Sequence, residues 1–380
     1  MTDTVLHPYA SPGWAVLGPV AGVVAGFVVS RASTWMLWSI EIDPAWQPTT
    51  DSVIRDRRTI LASLAACLAM LALFFWEVAL GGQLPKEGMA GNQLGQLLVR
   101  LAAHGMLGSL LIMATVVDLR HRVIPDLITV PGALVGMLFV TCVPDVLLPV
   151  TCEVPRAFAA PLSVLDVLGA FGPLQCEGIE GVQWRSLLAP ACFLAWWSVC
   201  TSPSSDPRWW RDPRTGIFVT GMTATIAVTI GGAIRLLPID HPAAMEASLV
   251  GAVVSGGLVL ATRAAASRAV GREAMGMGDV TLMAMVGSWC GWQLGVVAFF
   301  LAAFLGLAQG AWGWLRHRDN ELPYGPSLSL ASFIVIIAWR SVWAAGRPLL
   351  ESPSEMAVTL AVVVVLTGIA LAVWARLRRP

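Results

Sequence analysis

Two aspartates, far apart in the chain, carry the chemistry this sequence can do. Asp118 stands in "MATVVDLRHRVIPDLITVPG", after an apolar run and just before Arg120, His121 and Arg122. Asp279 stands in "GREAMGMGDVTLMAMVGSWCGW", directly behind Gly276 and Gly278, where another apolar run begins. Alone, each is an ordinary acid beside an apolar segment. Brought to one depth, two carboxyls can share a proton, because like charges at close range push their proton affinities apart. The ionised one can then take a proton from water while the protonated one donates to a scissile carbonyl. That is the chemistry of peptide hydrolysis. Glycines at 276 and 278 leave room for backbone or an extended substrate beside Asp279; close packing of neighbouring membrane helices is their other use. Pro125 interrupts the chain after Asp118 and leaves Asp126 to cap the next helix or enter its first turn.

The elements that must hold these acids are membrane helices. Of 380 residues, 56% are hydrophobic and 13% charged, with 17 Trp, where soluble domains carry about 25% charged residues. Mean hydropathy is +0.72. An all-α polytopic integral membrane protein is therefore expected, with lipid around it. A formal net charge of zero gives no sign of a nucleic-acid partner. The start, "MTDTVLHPYASPGW", lacks a basic n-region, so the first apolar segment reads as a permanent span. With about 20 apolar residues needed per crossing, the predicted spans are 13–35, 60–80, 98–117, 127–147, 186–201, 216–237, 243–262, 280–292, 294–314, 326–344 and 356–375. The segment 280–314 is too long for one ordinary span, and Gly291, Trp292 and Gln293 are the expected turn within it.

The basic residues orient this arrangement. With Asp118 on the cytoplasmic side, seventeen of the 24 Lys and Arg residues fall on that side, in keeping with the positive-inside rule. The N-terminus is then outside and the C-terminus inside. Asp118 ends one span and Asp279 begins another, at the same cytoplasmic depth. Intramembrane carboxylates are costly and are functional candidates by default. No acidic residue is expected at mid-depth. The 148–185 loop becomes extracytoplasmic and holds Cys152 and Cys176, with Cys142 at its edge; a disulfide and three free thiols are both open readings. The seven Cys form no CxxC pair, and no metal site is expected.

These residues resemble the type IV prepilin leader peptidases, membrane aspartic proteases with a GxGD motif. "EAMGMGDVTLMAMVGSWCGW" is similar to the segment carrying their second catalytic Asp, which maps to Asp279. "DLRHRVIPDLITVPG" is similar to the first, where Asp118 matches the catalytic position, and Ile124, Pro125, Asp126 and Thr129 match the motif on its C-terminal side. "ELPYGPSLSLASF" resembles the family's Pro-aromatic-Gly-Pro segment. The resemblance implies Asp118 and Asp279 as catalytic, supported by Gly276, Gly278, Pro125, Asp126, Pro323 and Gly325, in a GxGD-type intramembrane aspartic protease core. It implies cleavage of the basic leader from type IV prepilin or type II secretion pseudopilin precursors at the cytoplasmic face of the inner membrane. Bacterial members often carry a four-Cys metal site after the first span, and residues 38–59 contain no Cys. S-adenosylmethionine is thus implied as a cofactor only if N-methyltransferase activity is retained; cleavage itself needs none. Thr281 stands where the family typically has Lys. Glu273, Asp126 and Glu321 are candidates to meet a basic leader, and Arg120, Arg122 and Arg272 read as cytoplasmic anchors.

The expected organisation is 1–97 as N-terminal spans and loop, 98–344 as the peptidase core with a variable insertion at about 148–215, and 345–380 as a final span and basic tail. Two other functions fit parts of the pattern. Broken helices with membrane-depth carboxylates also serve transporters and channels; two acids on one face and none at mid-depth speak against this. A non-catalytic pilus or secretion assembly protein would not need both Asp118 and Asp279.

Overall fold

The computed structural model describes residues 93–148, 240–317 apart from 272, and 324–350, with parts of 64–79 and 358–365. The expected spans 13–35, 186–201 and 216–237 and nearly all of the 148–185 loop lie outside these residues. All regular structure among the described residues is helical. The helices are α1 (Gln93–His121), α2 (Asp126–Cys142), α3 (Asp240–Val270), α4 (Met277–Cys290), α5 (Trp292–His317) and α6 (Gly325–Leu350). A π-helical segment, Phe74–Ala79, precedes them, and a 3-10 turn, Pro144–Val146, comes after α2. Stretches of α1, α3, α5 and α6 are long and apolar enough to cross a membrane, and α2 is a shorter apolar helix. The chain is a multi-pass membrane protein.

Each helix matches an expected span, and the breaks have local causes. Gly291 at φ +84 ends α4, with its N–H on the Gly287 carbonyl at 2.8 Å. Trp292 starts α5 at once, so the expected turn contracts to one residue. Gly271 ends α3 in the same way, at φ +74, bonded to the Ser267 carbonyl. A positive φ of this kind is open to glycine without strain. Arg122 closes α1 with that geometry at φ +55, its N–H on the Asp118 carbonyl at 2.8 Å. A non-glycine residue held there costs about 1–2 kcal/mol. The strain sits at the turn that swings the chain from Asp118 towards α2. Pro125, at φ −73 and ψ 132, is the N-cap of α2, and Asp126 enters its first turn.

Helix α4 lies at the centre of the described helices. Every residue from Asp279 to Cys290 is buried, and α4 packs on α3 most extensively, then on α2, α5, α6 and α1. A helix apolar on all sides suits such a position. Small residues let the backbones meet. A β-carbon at Gly251 of α3 would stand 2.1 Å from the Gly287 carbonyl oxygen, and one at Gly287 would stand 2.1 Å from that of Gly251. The Ser248 hydroxyl donates to the Ser288 carbonyl beside them at 2.6 Å. On the other flank, Trp289 fits against Gly136 and donates its indole N–H to the Gly132 carbonyl at 2.9 Å. With little hydrophobic drive between helices inside lipid, contacts of this kind hold them together.

One expectation is corrected here. An acidic side chain does occur inside the membrane body: Glu77 is fully buried and its Oε1 meets Nδ1 of His104, also fully buried. His104 lies within the apolar stretch Leu97–Leu119, about 21 Å along α1 from Asp118 at 1.5 Å per residue. Pairing is what makes burial of such groups tolerable. Cys142 is a free, exposed thiol; Cys152 and Cys176 lie outside the described residues.

Candidate active site

Asp118 occupies the last turn of α1 and is 5% exposed; Asp279 occupies the first turn of α4 and is 7% exposed. The fold brings them together, close enough for the charge of Asp118 to act on Asp279. Three connections make that meeting possible. The α1–α2 turn folds back so that Ile124 lies beneath Gly278, where a β-carbon would come within 2.7 Å of both Ile124 Cβ and the Ile124 carbonyl oxygen. Gly276 is the N-cap of α4, in extended conformation, and its amide faces the Asp279 carboxylate. Gly325 opens α6 directly against Asp118: its amide faces that carboxylate, and a β-carbon on it would stand 2.5 Å from Asp118 Oδ2. Oδ2 itself has no hydrogen-bond partner among the described residues.

The N-terminal turns of α4 and α6 thus each present a backbone amide to one aspartate. Helix N-termini favour negative charge, which offsets part of the cost of holding carboxylates away from water. Tyr324, half-buried just before α6, is close enough for Asp279 to act on it, and its ring packs over Gly306 of α5. Residues 273, 274 and 276 are exposed, as are Arg122 and Val123. The two carboxyls therefore lie immediately behind solvent-facing connections, within reach of water.

The connection before α4 is anchored from α3. Arg263 donates from Nε to the Met275 carbonyl at 2.8 Å and pairs through Nη2 with Glu273 Oε1. The Ala274 N–H donates to Ser267 Oγ at 3.1 Å. Sequence alone made Arg263 one positive-inside residue among many. Its spacing before the glycine motif was the only available signal. Glu273, a candidate to meet a basic leader, is already paired with Arg263. Asp126 is half-buried and accepts from Thr281. Arg272, Glu321 and Pro323 lie outside the described residues.

Thr281 gains a place from its contacts. It accepts from the Thr129 hydroxyl at 2.9 Å, and its own hydroxyl reaches Asp126 Oδ1 at 3.2 Å and the Gly278 carbonyl at 3.1 Å. It therefore links the first turn of α4 to the first turn of α2. Chemically, the site can hold two carboxyls around one proton just behind solvent-facing connections.

Comparison with known proteins finds similarity over a limited stretch of the chain. Residues 216–311 match the model of the type IV leader peptidase family. That stretch contains Gly276, Gly278 and Asp279; Asp118 and Gly325 lie outside it. A prepilin leader peptidase/N-methyltransferase of Pseudomonas putida is 34% identical over 84 residues, which are 21% of this chain and 29% of the relative. One from Pseudomonas aeruginosa is 38% identical over 71 residues, 18% of this chain and 24% of the relative. One from Stutzerimonas stutzeri is 32% identical over 99 residues, 25% of this chain and 34% of the relative. The chain thus spans about a quarter to a third of the length of these curated relatives. No solved structure matches it.

Proposed function

We propose that the protein is an aspartic endopeptidase of the inner membrane that cleaves the basic leader from type IV prepilin or pseudopilin precursors at the cytoplasmic face. The observation that carries the reading is the meeting of Asp118 and Asp279, from helices far apart in sequence, at a buried but water-adjacent edge of the helix bundle. The precursor's apolar helix lies in the bilayer beside the enzyme. Its basic leader stays in the cytoplasm, which sets the junction at the depth of the two acids. One carboxylate takes a proton from the attacking water; the other carboxyl donates to the peptide carbonyl, and the roles reverse as the amine leaves. The Gly276 and Gly325 amides hold the pair in place, and Gly278 lets the turn at Ile124 close against the start of α4. This chemistry draws on water and the two side chains alone.

The peptidase core is proposed to run over 98–344, with the N-terminus outside and the C-terminus inside. Co-expression with candidate prepilins of the same genome tests the function. Mass spectrometry of the pilin N-terminus should show loss of the leader. The same mass separates plain cleavage from cleavage with an added methyl group, and so reports any N-methyltransferase activity. Recovery of only full-length precursors with every candidate would count against the proposal.

A further inference from the structure

Thr281 is 6% exposed and Thr129 is fully buried, so their hydroxyls have little access to solvent and must find partners within the protein. The Thr129 hydroxyl gives its proton to Thr281 Oγ1 at 2.9 Å. Thr281 has one proton to give and two acceptors in reach, Asp126 Oδ1 at 3.2 Å and the Gly278 carbonyl at 3.1 Å. Of the two, only the bond to Asp126 crosses to α2. The hydroxyls therefore form a directed chain from Thr129 through Thr281 to Asp126, and such chains strengthen their members.

This chain crosses between the two segments that carry the proposed acids. Thr281 comes two residues after Asp279 in the first turn of α4. Asp126 and Thr129 begin α2, joined to Asp118 by the short turn through Arg122 and Pro125. The contact of Gly278 with Ile124 sets how closely the segments approach. Further along, the Trp289 indole bond to the Gly132 carbonyl ties α4 to α2, and the hydroxyl chain adds the tie at the ends that carry the acids. Catalytic groups must be held to about 0.5 Å of their productive geometry.

We propose that Thr281 is a positioning residue, whose hydroxyl chain to Thr129 and Asp126 sets the register of Asp279 against Asp118 and so acts on turnover rather than on leader binding. The inference rests on the peptidase reading, and its test separates the two. T281V keeps the shape of the side chain and removes the hydroxyl; T281S keeps the hydroxyl. For the full-length enzyme in detergent, T281V should lower kcat by about 10- to 100-fold, the scale of a small misplacement, with KM within about twofold. T281S should recover most of the loss. Amide exchange over 277–281 should quicken about tenfold in T281V, the scale of one net hydrogen bond, and stay near wild type in T281S. A T281V enzyme with wild-type kcat, a T281S enzyme as impaired as T281V, or unchanged exchange in T281V would each overturn the assignment. If the wild type releases no leader, the peptidase reading fails instead, and the exchange comparison still decides whether the hydroxyl chain holds the segments.

Discussion

A β-carbon on Gly325 would stand 2.5 Å from Oδ2 of Asp118. The start of α6 and the end of α1 thus meet with no room for a side chain between them. The other atoms in the way are Ile124 Cδ1 and Asp118 Cγ, all ends of side chains that can turn aside. G325A is therefore expected to displace the Asp118 carboxyl and leave the backbone where it is. Cleavage should fall about 100-fold, the scale of a misplaced catalytic group, while thermal unfolding in detergent changes little.

The opposite balance is expected at Gly287. A β-carbon there meets the Gly251 carbonyl oxygen at 2.1 Å, which is backbone and has no rotamer to change. G287A must push α3 from α4 along their closest contact. Overpacking of this kind costs about 1–3 kcal/mol. Thermal unfolding should shift clearly downward, and G251A should behave alike because the contact is mutual. A G287A protein as stable as wild type would show that the two helices do not interlock at this point.

Arg263 and Glu273 should prove unequal although they pair. The Glu273 side chain is 79% exposed, against 23% for Arg263. Exposed pairs contribute little, so E273Q should keep cleavage within about twofold of wild type. R263M also loses the bond to the Met275 carbonyl next to Gly276. It should slow cleavage by roughly tenfold, the equivalent of one net hydrogen bond. Initial rates on one leader substrate compare them directly.

The site's acid–base logic sets its pH dependence. On the proposed mechanism one carboxyl is ionised and its partner protonated, so the sign comes from counting protons. At low pH both are protonated and the base is missing; at high pH both are ionised and the donor is missing. The rate should therefore rise and then fall with pH, and the two limbs belong to the pair rather than to either residue. A cleavage rate that climbs to a plateau at high pH would rule out a protonated partner.

Much of this arrangement is legible in the sequence because membrane helices announce themselves. Long apolar runs predict α1, α3, α5 and α6, and Gly291 falls in the turn expected between α4 and α5. Asp118 and Asp279 stand out because charge at the edge of an apolar run is costly. Contacts across long sequence separations are not legible in that way. Glu77 falls inside the expected span 60–80 with nothing beside it in sequence to mark it, and only the fold supplies His104 as its partner. Arg263 looks like one more cytoplasmic arginine until the chain returns at Met275. Thr281 looks like a lost charge beside the motif; its link to Asp126 appears only once α2 and α4 are side by side.

The central claim is that Asp118 and Asp279 act as one proton-sharing pair. Its most direct measurement is leader release by D118N, D279N and the double variant, each purified and shown to unfold cooperatively like wild type. Asn keeps the shape of Asp and cannot ionise. Each single variant should lose about 10²- to 10⁴-fold of the rate, the span of general acid–base catalysis, and the double variant should be little worse than either, because the pair works as a unit. Leader release that persists at the wild-type rate in a folded double variant would contradict the account.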